Sequence, residues 1–442
     1  MGLIDGMIGA NLPAQTSSVQ EAAGLANIAE ARKVCLHLVE AGFPTMFVGG
    51  CVRDRLFGIA PKDFDLATAA TPEQVTGVFE KIGYSVHPIG LGHGTVGIAT
   101  GTQLVEVTTL REDLECDGRH ARVQYTQSFA ADARRRDFTI NGLFEDLDGH
   151  IHDFVGGYDD LRDHHLRFIG NPSDRIREDY LRILRYFRFL ARLGWKACPE
   201  AIQAINECRS GLKGIAKERI LSEMDRLLTY PYASHALKNA GNCQVLATIF
   251  DWYQPEGLPE VLAKLPQLEA PQSETIWFIF LWHTSLENAP KPLEALLRTM
   301  RFSRARQRTI RLLFELFQAH DTPFPRLKIL LRLLIDEQLS SGELIALLRC
   351  FPLHWPSKAM LMMEKLVAGA SGTKPPIMRK DILSLPESER AEAVSIAKIF
   401  WYLGWCGGKT QLKFVLLRAA IFRSWLDNGA TEPPPDTMWG DA

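Results

Sequence analysis

The spacing of apolar residues along the chain changes near Arg162. Before this point, short β-rich runs are separated by glycine-rich turns such as Gly90–Gly94. The runs lie at 45–48, 63–66, 95–100 and 103–109. After it, apolar residues recur at three- and four-residue intervals almost to Leu426, which is typical of amphipathic helices. The pattern predicts an α+β chain, with a small mixed-sheet head followed by an all-α remainder.

We therefore expect five segments. They are a flexible N-terminus at 1–20, a sheet-bearing head at 21–160, a helical neck at 161–230, a helical body and tail at 231–430, and a disordered end at 431–442. The triple proline near the C-terminus is the main sign of disorder there. Domain sizes agree with this division, because 442 residues are too many for one compact core.

Charge and cysteine content narrow the class of protein. The formal net charge is −2, so a nucleic-acid site must come from local clusters such as Arg134–Arg136 rather than from bulk attraction. The eight cysteines are scattered without a C-x-x-C pair, which favours reduced thiols and a cytoplasmic location. The apolar stretch Ile276–Trp282 is far shorter than the ~20 residues that span a bilayer, and the N-terminus lacks a secretory signal pattern. We expect neither membrane insertion nor export.

A glycine pair stands between a predicted strand and a predicted helix that ends at Gly58. Gly50 would allow close backbone approach, and the free N–H groups at the start of the helix could face a phosphate, with Arg53 one turn further on. Such a turn is structural more often than functional. It gains weight only from the residues that follow it.

Two aspartates alternate with apolar residues directly after this helix. The period of two places Asp63 and Asp65 on one face of a strand, while Phe64 and Leu66 face the core. Adjacent carboxylates repel each other, and a divalent cation between them relieves the repulsion. A solvated strand edge is the alternative interpretation of an isolated D-x-D.

Glu106 stands in the apolar run 103–109 and is the candidate for a third acid. A carboxylate in such a run is costly to bury unless it is paired or metal-bound. It would serve as a metal ligand or as the base for an attacking hydroxyl. The alternative is a carboxylate that leans out from a strand edge.

An ordered series of motifs resembles the class II tRNA nucleotidyltransferases (CCA-adding enzymes), and bacterial poly(A) polymerases share much of it. The series reads G-G-C-V-R-D, D-F-D-L-A-T, T-L-R-E-D-L-E-C-D-G-R-H-A, R-R-R-D-F-T-I-N-G and R-I-R-E-D-Y-L-R-I-L-R-Y-F-R-F. The resemblance covers roughly residues 30–228, and the helical half beyond carries no matching motif. It implies a polymerase β-like nucleotidyltransferase head.

The resemblance also implies roles for particular residues. Asp63 and Asp65 would bind two magnesium ions. The nucleoside triphosphate would be contacted by Gly50, Arg53, Arg136, Asp179, Arg182, Arg185 and Arg188. The spacing of Asp137 and Asn141 by one helical turn behind the arginine run also fits an ordered polar site.

A helix predicted to begin near Asp174 would have an apolar face and an arginine-bearing face. On the second face, Asp179 and Arg182 stand three residues apart and can point together as an acceptor and a donor. Adenine and cytosine present an exocyclic amine beside an unprotonated ring nitrogen, whereas guanine and uracil present the opposite polarity. The pair is therefore predicted to select ATP and CTP. A solvated charged face is the alternative.

The polar, glycine-containing segment from Leu110 to Phe129 is predicted to be a mobile loop. In the resembling family, a loop at this place is associated with addition of the terminal A. The implied activity is template-independent addition of C, C and A to tRNA, by a monomer or weak homodimer. The alternatives are A addition alone, a poly(A) polymerase, and a non-catalytic RNA-binding protein on the same scaffold.

Overall fold

The computed structural model describes most of the chain. It covers residues 18–90, 94–116, 121–264, 273–286, 293–317, 323–335, 339–350, 366–367, 375–403, 405, 409–428, 432 and 434–435. The predicted flexible start at 1–20 and disordered end at 431–442 lie almost wholly outside the described residues. The chain divides into two compact units: the first is Met1–Tyr186 with Trp195–Gly211, and the second is Phe187–Gly194 with Leu212–Ala442.

Nine strands lie in the described part of the first unit. They are β1 (Thr45–Val48), β2 (Asp65–Thr68), β3 (Ser85–Gly90), β4 (Thr95–Ala99), β5 (Leu104–Thr109), β6 (Arg111–Cys116), β7 (Ala121–Tyr125), β8 (Leu143–Glu145) and β9 (Ile151–Asp153). Seven form one mixed sheet in the order β3-β4-β5-β2-β1-β8-β9, in which only β2 and β5 pair in parallel. The mixed-sheet head predicted from the sequence is confirmed.

Between Ser18 and Cys208, the described residues also form eight helices. They are α1 (Ser18–Glu40), α2 (Gly50–Leu56), α3 (Pro72–Lys81), α4 (Phe129–Arg134), α5 (Gly157–Arg162), α6 (Pro172–Glu178), α7 (Leu181–Leu193) and α8 (Pro199–Cys208). A short 3-10 turn covers Thr139–Asn141. Val48 of β1, Ala67 of β2, Ala133 of α4 and Phe144 of β8 share one buried cluster, so a single core joins the elements that carry the candidate site.

Strands β6 and β7 form a separate two-stranded antiparallel sheet, called here the hairpin, with Arg111 opposite Tyr125 and Cys116 opposite Ala121. The described residues of the segment 110–129, which is predicted to be a mobile loop, form mainly this strand pair, and the mobility of the segment stays a prediction. Its sequence is rich in charge and has little of the apolar alternation that marks a half-buried strand. The two strands pair through backbone hydrogen bonds, and this pairing does not require apolar alternation in the sequence.

The described remainder of the chain is helical, as predicted. Its helices are α9 (Lys217–Thr229), α10 (Ala233–Asn242), α11 (Val245–Ile249), α12 (Leu258–Lys264), α13 (Ser273–Leu281), α14 (Leu293–Thr299), α15 (Arg304–Phe317), α16 (Pro323–Ile335), α17 (Ser341–Cys350), α18 (Arg379–Leu383), α19 (Glu387–Tyr402), α20 (Lys409–Leu417) and α21 (Ala419–Asp427). The apolar helix α13 is core, with Trp277 and Phe278 fully buried. No helix in the described part combines the length and apolar composition needed to cross a membrane.

Candidate active site

The turn between β1 and α2 is built on Gly49. Its backbone has φ 71° and ψ −120°, in the region that side chains disfavour. A Cβ atom here would lie 3.2 Å from a guanidinium nitrogen of Arg136, so the absent side chain also lets that arginine approach the turn. Gly50, the residue singled out from the sequence, is the first residue of α2. The residue of this pair that must be glycine, because of its positive φ, is therefore Gly49.

Arg53 lies behind this turn and is only 2% exposed. Its guanidinium donates to Asp54 Oδ1 from Nε at 2.9 Å and from Nη2 at 2.7 Å, and to Asn141 Oδ1 from Nη1. Asn141 in turn donates to Asp137 Oδ1 at 2.9 Å. In this arrangement Arg53 supports the turn from the interior, and its contact with a triphosphate remains a prediction.

Asp137 connects this network to helix α7. Its Oδ2 accepts from Arg185 Nε at 2.8 Å and from Arg185 Nη2 at 2.6 Å. Burial by itself would raise the pKa of the Asp137 carboxyl, but the Arg185 guanidinium and the Asn141 hydrogen bond outweigh it and lower that pKa to about 2. The carboxylate is therefore ionised, and it orients Arg185 from the head side.

Asp63 and Asp65 sit where the chain enters the middle of the sheet. Asp65 is the first residue of β2, and Asp63 precedes the strand in an exposed position. Phe64 and Leu66 are buried at 3% and 0% exposure, as the alternation predicts. The strand itself begins two residues later than expected, which leaves Asp63 outside the ladder.

Glu106 lies opposite Asp65 in the parallel β2–β5 register. It is exposed, whereas its neighbours Val105 and Val107 are buried, so it stands on the open face of the sheet. Burial raises the pKa of the Asp65 carboxyl to about 6, with Glu106 adding to the rise, Arg136 opposing it, and Asp63 adding a smaller rise. Four charged groups predicted from separate motifs therefore interact at one place.

This donor set fits a divalent cation. Carboxylate oxygens are the ligands that hard cations prefer, and a cation would relieve the repulsion that resists ionisation of Asp65. In the described part of the chain, another trio, Asp146, Asp148 and His150, brings one ligand atom each within 4.8 Å. There Asp146 Oδ1 accepts the backbone N–H groups of the other two residues, so this trio stabilises the β8–β9 turn.

The helix predicted to start near Asp174 is interrupted. Asn171 caps α6, which begins at Pro172 and ends at Glu178, and α7 begins at Leu181. Between them Asp179 is extended, with φ −153° and ψ 103°, and its Oδ1 accepts the Leu181 N–H at 3.1 Å. Asp179 therefore caps α7 instead of lying inside one helix. The expectation of a continuous helical stripe is wrong.

Arg182, in the first turn of α7, donates to the Glu178 carboxylate and to the carbonyl of Arg175 at 2.7 Å. Its Nη2 also reaches the carbonyl of Arg135 at 3.5 Å, so α7 is joined to the arginine run of the head. Glu178 is thus the carboxylate that fixes the Arg182 side chain.

Arg188 belongs to the second unit, whereas the residues above belong to the first. Its side chain is 8% exposed, forms an ion pair with Glu223 at 2.6 Å, and stacks over the Phe189 ring at 4.5 Å. Its predicted contact with the nucleotide has no support in these contacts and stays a prediction.

Asp132, which the sequence reasoning passed over, is a buried charge at the centre of the site. Its Oδ2 accepts from Arg136 Nε at 3.1 Å and Nη2 at 2.9 Å, and its Oδ1 accepts from Arg135 Nε at 2.7 Å. Spacings of three and four residues on one helix would have indicated these pairs. Arg136 also lies 5.4 Å from the centre of the Phe144 ring.

The sheet head and the helices that follow it match known family models. Residues 45–167 match the family model of the poly A polymerase head domain, and residues 198–258 match a model described as a probable RNA- and SrmB-binding site of polymerase A. Residues 45–167 are therefore similar to the poly A polymerase head, and the resemblance inferred from the motifs is confirmed.

Curated relatives point to one branch of this family. The chain is 45% identical over 200 residues to the mitochondrial CCA tRNA nucleotidyltransferase 1 of Danio rerio, which is 44% of this chain and 46% of the relative. It is 36% identical over 271 residues to a Streptococcus pneumoniae CCA-adding enzyme, covering 60% of this chain and 66% of the relative. The matched region thus spans about half the length of the first of these relatives and just under two thirds of the second.

Solved structures share the fold over most of the chain. The Bacillus stearothermophilus CCA-adding enzyme in complex with CTP has a TM-score of 0.60 at 27% identity, covering 91% of this chain and 93% of that one. A tRNA nucleotidyltransferase complexed with a primer tRNA and an incoming ATP analog has a TM-score of 0.54 at 23% identity, covering 76% and 96%. The second likeness concerns the fold alone.

Replacing Asp65 with Asn should stabilise the metal-free protein. The raised pKa means that ionised Asp65 opposes folding above pH 6, and this penalty disappears as the pH falls towards 4, where the unfolded carboxyl is also protonated. Because Asp65 is only partly buried, we expect a gain of about 1–2 kcal/mol at pH 7.5 and none near pH 4.

Urea unfolding in the presence of a chelator, at both pH values, measures this change. Asp63→Asn is the matched control, since Asp63 is exposed and its substitution should shift the unfolding free energy by less than about 0.5 kcal/mol. A loss of stability in Asp65→Asn at pH 7.5 would contradict the electrostatic description of the cluster.

Proposed function

We propose that this protein adds C, C and A to the 3′ end of tRNA without a template, using CTP and ATP and releasing pyrophosphate. The observation that carries the proposal is the convergence of Asp63, Asp65 and Glu106 beside the Gly49 turn and Arg136. A CTP-bound CCA-adding enzyme at 27% identity over nine tenths of the chain, and the names of the curated relatives, support this branch of the family.

In the proposed reaction, the 3′-oxygen of the tRNA forms a bond to the α-phosphorus while the bond from that phosphorus to the bridging oxygen of pyrophosphate breaks. Magnesium, as two ions held by Asp63 and Asp65, would supply charge neutralisation and a lowered pKa of the 3′-hydroxyl. Glu106 acts as a further ligand or as the base that takes the hydroxyl proton. Arg136, held by Asp132 at the glycine turn, binds the triphosphate.

The base is selected by Asp179 and Arg182 in this proposal. Asp179 uses Oδ1 to cap α7, and Glu178 holds the Arg182 guanidinium, so both groups are fixed before a nucleotide arrives. A carboxylate beside a guanidinium complements the amine and ring nitrogen of adenine and cytosine. It opposes the carbonyl and N–H of guanine and uracil, at a cost of about 1–3 kcal/mol for each buried mismatch.

Binding of tRNA is proposed to involve a basic cleft in the second unit. The cleft lies between α16 and α19 and has a volume of about 470 Å³. It is lined by four cations: Lys328 and Arg332, one helical turn apart on α16, and Arg390 and Lys398, about two turns apart on α19. None of its nine described lining residues is acidic. Like charges this close repel unless an anion compensates them, and the phosphates of tRNA are suitable anions.

The predicted cytoplasmic location stays a prediction, since the first of these curated relatives is mitochondrial by name. The same holds for the expected monomer or weak homodimer. A poly(A) polymerase is the second candidate function, because the matched head model bears that description. The two functions differ in their acceptor and in the number of nucleotides added.

The decisive assay gives CTP or ATP singly to tRNA that lacks the whole CCA end, lacks only the final A, or is complete. We expect two C residues on the first, one A on the second and nothing on the third. Asp63→Ala should reduce every addition at least tenfold while leaving tRNA binding nearly unchanged, because it removes a metal ligand and no RNA contact. Asp146→Ala, in the acidic β8–β9 turn, is the control.

Long A tracts on varied RNA ends would favour the poly(A) polymerase. Addition of A alone would indicate the A-adding variant of the family. Undiminished addition by Asp63→Ala would overturn the assignment of the metal ligands, and no addition by the wild-type protein would favour a non-catalytic RNA-binding role.

Base selection is tested by exchanging polarity, with Asp179→Arg and Arg182→Asp together. Use of GTP and UTP relative to ATP and CTP should rise by at least about tenfold, which needs only ~1.4 kcal/mol of differential binding. The control exchanges the exposed ion pair of α6, with Asp174→Arg and Arg177→Asp, whose side chains lie 2.9 Å apart. An unchanged nucleotide preference in the first variant, at equal folded fraction, would show that these residues do not read the base.

The basic cleft is tested with Arg332→Gln and Lys398→Gln together. Loss of two phosphate contacts should weaken tRNA binding about tenfold or more and reduce its dependence on salt concentration, as measured by fluorescence anisotropy. The control removes two exposed cations of the same unit, with Arg304→Gln and Lys413→Gln. Equal losses in both variants would mean that overall charge, and not the cleft, determines affinity.

A further inference from the structure

Asp132 combines burial with an unusual number of donors. It lies in α4, is 1% exposed, and each of its carboxylate oxygens accepts from an arginine side chain. In addition, Oδ1 accepts the backbone N–H of Arg111 at 3.3 Å. Burial would raise the pKa of Asp132, but Arg136 and Arg135 outweigh it and lower that pKa, so the group is a buried anion.

The backbone N–H of Arg111, which donates to Asp132, lies at the base of the hairpin, where the chain leaves the seven-stranded sheet. Arg111 is the first residue of β6, and the preceding Leu110 still belongs to the sheet side, where its N–H donates to Thr68 O at 2.8 Å. Thr126, after β7, donates back to Leu110 O at 2.9 Å. Asp132 therefore holds the hairpin at the point where it leaves the seven-stranded sheet.

The side-chain donors lead to the nucleotide side of the site. Arg136 approaches Gly49 and acts on the Asp65 carboxyl. The carbonyl of Arg135 accepts from Arg182, which is predicted to read the base. A displacement of the Asp132 carboxylate would therefore move Arg136, which is proposed to bind the triphosphate. It would also move Arg135, whose carbonyl contacts the residue proposed to read the base.

We propose that Asp132 is a positioning residue that couples the hairpin to nucleotide binding. Loss of its charge would leave two arginines without their shared buried anion and release the base of the hairpin from the same atom. The inference rests on the proposed function, since it takes ATP and CTP as ligands. It adds a role for a residue outside the set of site residues predicted from the sequence.

The test compares Asp132→Asn with Glu145→Gln. Glu145 is also a buried carboxylate of the first unit, at 4% exposure, and its ion pair is with Arg55. Among the described residues, it forms no ion pair with Arg136 or with the hairpin. Both variants thus lose a buried anion. Two quantities are measured without tRNA and without turnover: the Kd values for CTP and ATP with magnesium present, by calorimetry, and amide hydrogen exchange across residues 111–125.

For Asp132→Asn we expect both Kd values to rise about tenfold and exchange in the hairpin to accelerate at least tenfold, with neither change in Glu145→Gln. Stability loss alone, or faster exchange with unchanged Kd values, would overturn the coupling. If Asp132→Asn does not fold, Asp132→Glu keeps the charge one methylene further out and should show both changes to a smaller degree. Unaltered Kd values in that variant, with altered exchange, would equally overturn it.

The same data separate the two hypotheses. Failure of the wild-type protein to bind CTP and ATP would reject the proposed function. Binding by the wild type that Asp132→Asn leaves unchanged would reject only the coupling.

Discussion

The carboxylates of Asp132 and Asp137 hold the arginines of the first unit in place, and the candidate site depends on these two buried anions. Asp132 binds Arg135 and Arg136, and Asp137 binds Arg185 and, through Asn141, supports the network that reaches Arg53. Removing one partner from a buried ion pair is costly because the other charge is left uncompensated. The arginines are therefore oriented before any triphosphate is bound, which lowers the cost of ordering them on binding.

A second constraint is the concentration of carboxylates at the start of β2. Parallel pairing of β2 with β5 sets Asp65 beside Glu106, although about forty positions separate them in the chain. Their repulsion, together with burial, resists ionisation of Asp65. Clustered carboxylates oppose folding but favour binding of a divalent cation, as a metal-dependent site requires. Local arrangements that lower stability are typical of functional sites.

The two units divide the proposed work. The first carries the acidic cluster, the glycine turn and the polar groups around α6 and α7, and its sequence match to the poly A polymerase head is confined to residues 45–167. The second carries the basic cleft on α16 and α19, well beyond the matched RNA-binding region at 198–258. The proposed chemistry on the small sheet and the proposed RNA contacts on the helical scaffold involve different residues, so substitutions can address each of them separately.

The sequence by itself determined the class of fold, the position of strand β1 and the burial of Phe64 and Leu66. It also singled out Asp63 and Asp65 as candidate metal ligands. These features follow from local periodicity and residue chemistry. The sequence did not determine the hairpin, whose polar strands pair without the apolar alternation that marks a buried face. Nor did it determine the break at Asp179, where a side-chain cap on Leu181 competes successfully with helix continuation. Only the tertiary structure decided that Asp65 lies beside Glu106, that Arg188 pairs with Glu223, and that Asp132 accepts from the backbone N–H of Arg111, since these contacts join residues too far apart in the chain to leave a local signal.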